Sequence, residues 1–125
     1  MEFYRCRHCG NIITFMENKG PAVFCCGEKM EKLEPGTVEA SLEKHIPVVI
    51  VEPAQVKVEI GSVPHPMIPE HYIQWIVLET QNGVQWKKLT PSDMPSATFP
   101  LAQGDKVIAA WEYCNIHGLW KKDLA

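Results

Sequence analysis

Residues 112 to 120 read EYCNIHGLW and set Cys114 and His117 in a C-x-x-H spacing. Neither a second C-x-x-C nor an H-x-x-H stands beside them, so other parts of the chain must complete any metal site built on this pair. The remaining four thiols fall near the N-terminus, Cys6 and Cys9 within C-R-H-C and Cys25 and Cys26 side by side. In a reducing compartment, five thiols are more often ligands or catalysts than disulfides. Their four-plus-one distribution implies two sites.

The segment up to about residue 35 holds few large apolar side chains (Phe3, Tyr4, Ile12, Ile13, Phe15, Val23, Phe24, Leu33), too few to bury a core unaided. A metal would supply the missing stability. Cys6, Cys9, Cys25 and Cys26 have the pattern of a four-thiolate knuckle, with Gly10 and Gly27 leaving room for peptide N–H groups to approach sulfur. A zinc ribbon normally repeats C-x2-C in its second pair, whereas adjacent cysteines meet one metal only at a distorted angle that iron tolerates. Zinc, iron and a disulfide all remain open on spacing alone. His8, between ligands, is expected to face solvent.

Apart from His8 there are four histidines: His45 in EKHIP, His65 and His71 in HPMIPEH, and His117. Pro47, Pro66 and Pro69 fix φ and remove amide donors, so these loops can hold imidazoles with little entropy left to lose. Four imidazoles and the Cys114 thiolate exceed the usual tetrahedral demand of zinc and leave one octahedral position free for a small oxygen species. An axial thiolate opposite nitrogen ligands would push electron density toward such a species, as it does in thiolate-ligated haem.

The elements that must bring these groups together read as strands. In QVKVEI, Val56, Val58 and Ile60 share one face, and YIQWIVLE, VQWKKL, ATFPL and KVIAAWEYC are β-branched and aromatic runs bounded by NG, PSDMP and QGD turns. EASLEK has the length for one helical turn. The predicted fold is all-β: a small metal-knuckle module over residues 1–36, then an immunoglobulin-like antiparallel β-sandwich over residues 37–125 with Trp75, Trp86 and Trp111 as core or inter-sheet fillers. At 125 residues and 14.1 kDa the chain suits one buried core and a small companion. No apolar run has membrane-span length and MEFYRCRHCG has no signal-peptide core, which predicts a cytoplasmic location and no membrane partner. A net charge of −3 with dispersed Lys and Arg gives no nucleic-acid footprint.

Taken as a set, C-x2-C, C-C, EKHIPV, GSVPHPM, EHYIQWI and EYCNIHGLW resemble desulfoferrodoxin, the two-iron form of superoxide reductase, over the whole chain. The resemblance implies two non-haem irons per chain. One would be held by Cys6, Cys9, Cys25 and Cys26 in a desulforedoxin-like module, the other by His45, His65, His71, His117 and Cys114 in a neelaredoxin-type catalytic domain. It further implies that Glu43 and Lys44 flank the open face of the second iron as catalytic residues. Trp111 stands where relatives often have a basic residue and Leu119 where histidine is common, so the departures lie beside the ligand set.

The implied reaction is superoxide plus one electron and two protons giving hydrogen peroxide, with a rubredoxin-like protein as electron donor, a homodimeric assembly and an anaerobic or microaerophilic source. Ferrous iron with four neutral imidazoles and one thiolate would be a net monocation that attracts the anion, and Lys44 would add to that field. Ligand types alone do not separate a reductase from a dismutase; the resemblance does. Two other classes stay open, a pure electron-transfer protein without substrate chemistry and a zinc-stapled binding module.

Overall fold

The computed structural model of the protein describes residues 1–38 and 40–124. It comprises two compact units, Met1–Glu34 and Pro35–Ala125.

In the first unit β1 (Phe3–Arg5) lies between β2 (Ile12–Thr14) and β5 (Glu31–Lys32), and β3 (Phe24–Cys25) pairs with β4 (Glu28–Lys29) as a hairpin. That hairpin turns on Cys26 and Gly27, both at positive φ (53° and 75°), the signs of a type I′ turn. Gly27 adopts such a φ at little cost, whereas Cys26 is held there against its preference. Among the described residues of this unit, only Phe3, Cys6 and Met30 are buried, so apolar contact contributes little to its stability.

The second unit begins with a single helical turn, α1 (Leu42–His45), and continues through β6 (Pro47–Val51), β7 (Gln55–Ile60), β8 (Ile73–Thr80), β9 (Gly83–Lys88), β10 (Ser96–Pro100), β11 (Val107–Cys114) and β12 (Gly118–Asp123). The strands form two antiparallel sheets in the orders β10-β7-β6 and β12-β11-β8-β9. Val56, Val58, Ile60, Ala97 and Phe99 from the first sheet meet Ile73, Ile76, Leu78, Ala110 and Cys114 from the second in one apolar cluster. Each aliphatic side chain buried there contributes about 1.5–3 kcal/mol. The alternation read in QVKVEI therefore marks the inner face of β7. Trp111 is buried and Trp75 stacks on Tyr113 at 5.7 Å, but Trp86 is 66% exposed and fills no core. It sits on β9, an edge strand, and alternation does not reveal which strand of a sheet lies outermost.

Register brings the site together. Pro47 pairs with Ile60 in one sheet, while Cys114 pairs with both Ile73 and Gly118 in the other, so the ends that carry the histidine loops lie side by side. A register shift between Tyr113 and Cys114 against β8 adjusts the strand end where the thiol sits, a common position for a bulge beside a functional group. The loop after β7 wraps α1: Gly61 N–H donates to the Ile46 carbonyl at 3.2 Å and Val63 N–H to the Glu43 carbonyl at 3.0 Å.

At Gly61 (φ 81°) a Cβ would come within 2.6 Å of the carbonyl oxygens of Glu43 and Val63 and 2.7 Å of Lys44 Cα. All three are backbone atoms, so the Glu43–His45 turn could not stay in place. Gly61→Ala is expected to destabilise the unit by about 2 kcal/mol or more and to reduce any metal bound at the histidine group. Thermal unfolding with metal analysis checks this, and native stability would show that the contact relaxes freely.

Candidate metal centres

Each of the second unit's histidines has a different local support. His45 closes α1, with Nδ1 3.4 Å from Glu112 Oε2 and its ring stacked on Trp120 at 5.0 Å and 17°. His65 directs Nδ1 at the Pro66 carbonyl, 2.7 Å away, which leaves Nε2 buried and without a partner. His71, in an isolated bridge with Ile68, likewise has a buried Nε2 with no partner. His117, in the β11–β12 turn, brings Nδ1 within 3.9 Å of Cys114 Sγ. The four rings pack edge to face, with neighbouring centroids 4.6–5.0 Å apart.

One donor atom from each of His45, His65, His71, Cys114 and His117 lies within 4.8 Å of all the others. Burying two imidazole nitrogens without partners is costly unless something accepts their lone pairs. Burial, reinforced by neighbouring imidazoles and by the Lys44 ammonium, depresses the pKa of His45 to about 3 and of His65 to about 4, and lowers that of His71. His45, His65 and His71 are therefore neutral and free to donate to a cation. Burial pushes the Cys114 thiol up, while the peptide N–H groups of His117 and Ile116 oppose that shift. The donor set of imidazoles and one thiolate fits a redox iron.

Glu112 is buried, and burial pushes its carboxyl well above the usual range; one oxygen has no hydrogen-bond partner. With His45 depressed by burial, its contact with Glu112 in the metal-free protein is a hydrogen bond from a neutral imidazole rather than an ion pair. Carboxylate support of a ligand imidazole is the usual way to fix its tautomer. Neither Glu112 nor Trp120 is marked by the sequence as part of the site, because nothing local places residue 112 beside residue 45. Of the E-K-H pair, Lys44 is half-buried and its charge is felt at three histidines, whereas Glu43 is exposed and joins the local network through its carbonyl.

The first unit gathers Cys6, Cys9, Cys25 and Cys26 with all four sulfurs within 4.8 Å of one another. Cys6 Sγ accepts the N–H groups of His8 and Cys9 at 3.4 Å, and Cys9 Sγ accepts Asn11 N–H at 3.5 Å. The first of these sulfurs to ionise is stabilised: the Cys9 N–H chiefly lowers Cys6 to about 6. The crowd then raises Cys25, and drives Cys26 up to about 12 through its hydrogen bonds with Cys9, Cys6 and Cys25. Four thiolates at this spacing need a bound cation. His8 is exposed, with Nε2 2.5 Å from Glu28 Oε2.

Comparison with known proteins agrees with this architecture. The family described as "Desulfoferrodoxin" matches residues 37–123 and that described as "Desulfoferrodoxin, N-terminal domain" matches residues 1–33. The desulfoferrodoxin of Nitratidesulfovibrio vulgaris is 46% identical over 123 residues, covering 98% of this chain and 95% of that protein. The superoxide reductase of Pyrococcus horikoshii is 36% identical over 99 residues, 66% of this chain and 86% of its own. Among solved structures, the superoxide reductase from Treponema pallidum superposes with a TM-score of 0.83 at 42% identity, covering 98% of both chains. The chain belongs to the desulfoferrodoxin family, whose two metal sites are a four-cysteine site and a four-histidine, one-cysteine site.

The depressed histidines make the metal-free protein sensitive to acid. An unfolded chain protonates its imidazoles near 6.5, whereas the folded protein protonates His45 and His65 only near 3 and 4. Between those values the unfolded state binds more protons, so the histidines' contribution is retained above about pH 6.5 and lost as pH falls toward 4, by up to about 1.4 kcal/mol per histidine per pH unit, while the raised Glu112 carboxyl offsets part of that loss. Thermal unfolding of the iron-free protein is expected to show a midpoint that falls as pH drops from about 6.5 to about 5. A midpoint that ignores pH would contradict burial of the cluster.

Proposed function

We infer that this chain is a superoxide reductase, an oxidoreductase that converts superoxide, one electron and two protons to hydrogen peroxide. The observation that carries this reading is the pocket of four imidazoles and one thiolate, with donor atoms within 4.8 Å of one another, in a chain of the desulfoferrodoxin family. Residues 37–125 form the catalytic domain, where His45, His65, His71, His117 and Cys114 hold one non-haem iron. Residues 1–36 form a module whose Cys6, Cys9, Cys25 and Cys26 hold the other.

His45, His65, His71, His117 and Cys114 would hold the iron, which would supply the single electron that superoxide takes up. The protein's part is electrostatic and geometric. Neutral imidazoles add no charge, and the Cys114 thiolate adds one negative charge, so a divalent ion there stays net positive in a chain of net charge −3. The Lys44 ammonium, whose field already reaches the three histidines, draws the anion toward the site and orders the water that delivers protons. Peptide N–H groups of Ile116 and His117 favour the Cys114 thiolate against the upward push of burial, and a bound cation would complete its ionisation. Glu43, exposed on the same turn, would serve as a carboxylate for the bound iron when substrate is absent.

One-electron turnover needs an external donor, and a small rubredoxin-like protein suits it. We place the protein in the cytoplasm as a homodimer. No helix among the described residues is long and apolar enough to cross a membrane.

Pulse radiolysis of the reduced protein tests both the reaction and the role of Lys44. One peroxide per superoxide with no dioxygen evolved is expected; half a peroxide with dioxygen release would mark a dismutase instead. Lys44→Met is expected to slow the bimolecular rate about tenfold while leaving iron content and the visible spectrum unchanged. Added salt should slow the native protein more than the variant. Equal rates and equal salt slopes would return Lys44 to an ordinary solvated turn.

A further inference from the structure

Glu112 on β11 stands directly opposite Trp120 on β12, and Cys114 opposite Gly118. Side chains two apart on a strand share a face, and so do directly paired residues, so Glu112, Cys114 and Trp120 all project from one face of this ladder. There the Trp120 indole lies nearly parallel to the His45 ring at 5.0 Å, while Glu112 engages the Nδ1 edge of the same ring. Trp120 also donates its Nε1–H to the His117 carbonyl at 3.0 Å. One side chain thus touches two of the four histidines, through a ring face on one and a hydrogen bond on the other.

Its surroundings set it apart from a core filler. Trp120 is 3% exposed, yet it is not part of the apolar cluster between the sheets. Its ring instead reaches toward Gly36, where a Cβ would stand 4.0 Å from Cζ3 and where the peptide N–H donates to the Leu119 carbonyl at 2.8 Å. A leucine could occupy the space, but it offers neither an aromatic face nor a donor.

We propose that Trp120 is a positioning residue for the histidine site, fixing the ring plane of His45 by stacking and the turn that carries His117 through its Nε1–H. The proposal rests on the reading of His45 and His117 as iron ligands. Glu112 sets which nitrogen of His45 carries the proton, and Trp120 sets where the ring lies. Together they leave the imidazole little freedom to swing away from a bound ion.

The test compares iron-loaded Trp120→Phe, Trp120→Leu and, as a packing control, Phe99→Leu from the apolar cluster. For each, the rate of iron loss from the histidine site to excess chelator is followed by its visible band, alongside the ferric electron paramagnetic resonance signal and the unfolding midpoint of the metal-free protein. Trp120→Leu is expected to release iron about tenfold faster or more and to broaden the resonance signal. Trp120→Phe, which keeps a ring but loses the donor, should fall between it and the native protein. Phe99→Leu should lose stability but release iron at the native rate.

Native release from Trp120→Leu, or equal acceleration in Phe99→Leu at equal loss of stability, would overturn the proposal and leave Trp120 as packing. Should Trp120→Leu not fold, Trp120→Phe decides alone: release no faster than native overturns it. Parallel His45→Ala and His117→Ala proteins separate the two levels of argument. If their iron loading and band are native, the ligand reading fails and the proposal with it; if theirs change and those of the Trp120 variants do not, only the proposal fails.

Discussion

His65 Nε2 and His71 Nε2 are buried without hydrogen-bond partners, in contact with two further imidazoles and a thiol. A polypeptide does not leave such groups dry and unpaired without a cost that its marginal stability would feel. A cation that accepts their lone pairs removes that cost, and much of the second unit can be understood as the means of holding the five donors ready for it. The sheet ends are aligned by register, Gly61 lets α1 lie against the β7 loop, and Glu112 and Trp120 engage the ring of His45. Neutral imidazoles and a single thiolate keep the ligand charge low enough for a negatively charged protein to attract an anion to the metal.

The two centres are built by opposite strategies. The four-cysteine group comes from a knuckle and a two-residue hairpin turn, with the φ signs at Cys26 and Gly27 swinging adjacent thiols to within 4.0 Å of each other. It is local, compensates for a nearly absent apolar core, and draws its charge stabilisation from peptide N–H groups. The histidine group is assembled from the ends of long strands and depends on a sandwich core to hold it. Unfolding of that core removes the second group with it, whereas the first depends on its own turns.

This difference decides what could be read from the sequence. The pattern of Cys6, Cys9, Cys25 and Cys26 is legible because its geometry lies within short segments, and β7 is legible because Val56, Val58 and Ile60 alternate with polar residues. β6 and β12 escape such a reading: one opens on Pro47 and is half exposed, the other ends in Lys121, Lys122 and Asp123, both being edge strands whose sequences need satisfy only one neighbour. Trp86 misleads for the same reason. The histidines could be gathered as a set only through their proline-stiffened loops and the family resemblance. Glu112 and Trp120 were invisible because their role lies in the pairing of β11 with β12, which no local pattern encodes.

The central claim is that four imidazoles and the Cys114 thiolate surround one iron in the second unit. X-ray absorption at the iron edge, measured on a Cys9→Ser protein whose first centre has been emptied, examines that shell most directly. The account predicts a shell dominated by imidazole nitrogen with a single sulfur scatterer, and loss of that sulfur when Cys114→Ser is added. An iron surrounded by several sulfurs, or one whose spectrum ignores Cys114→Ser, would contradict it.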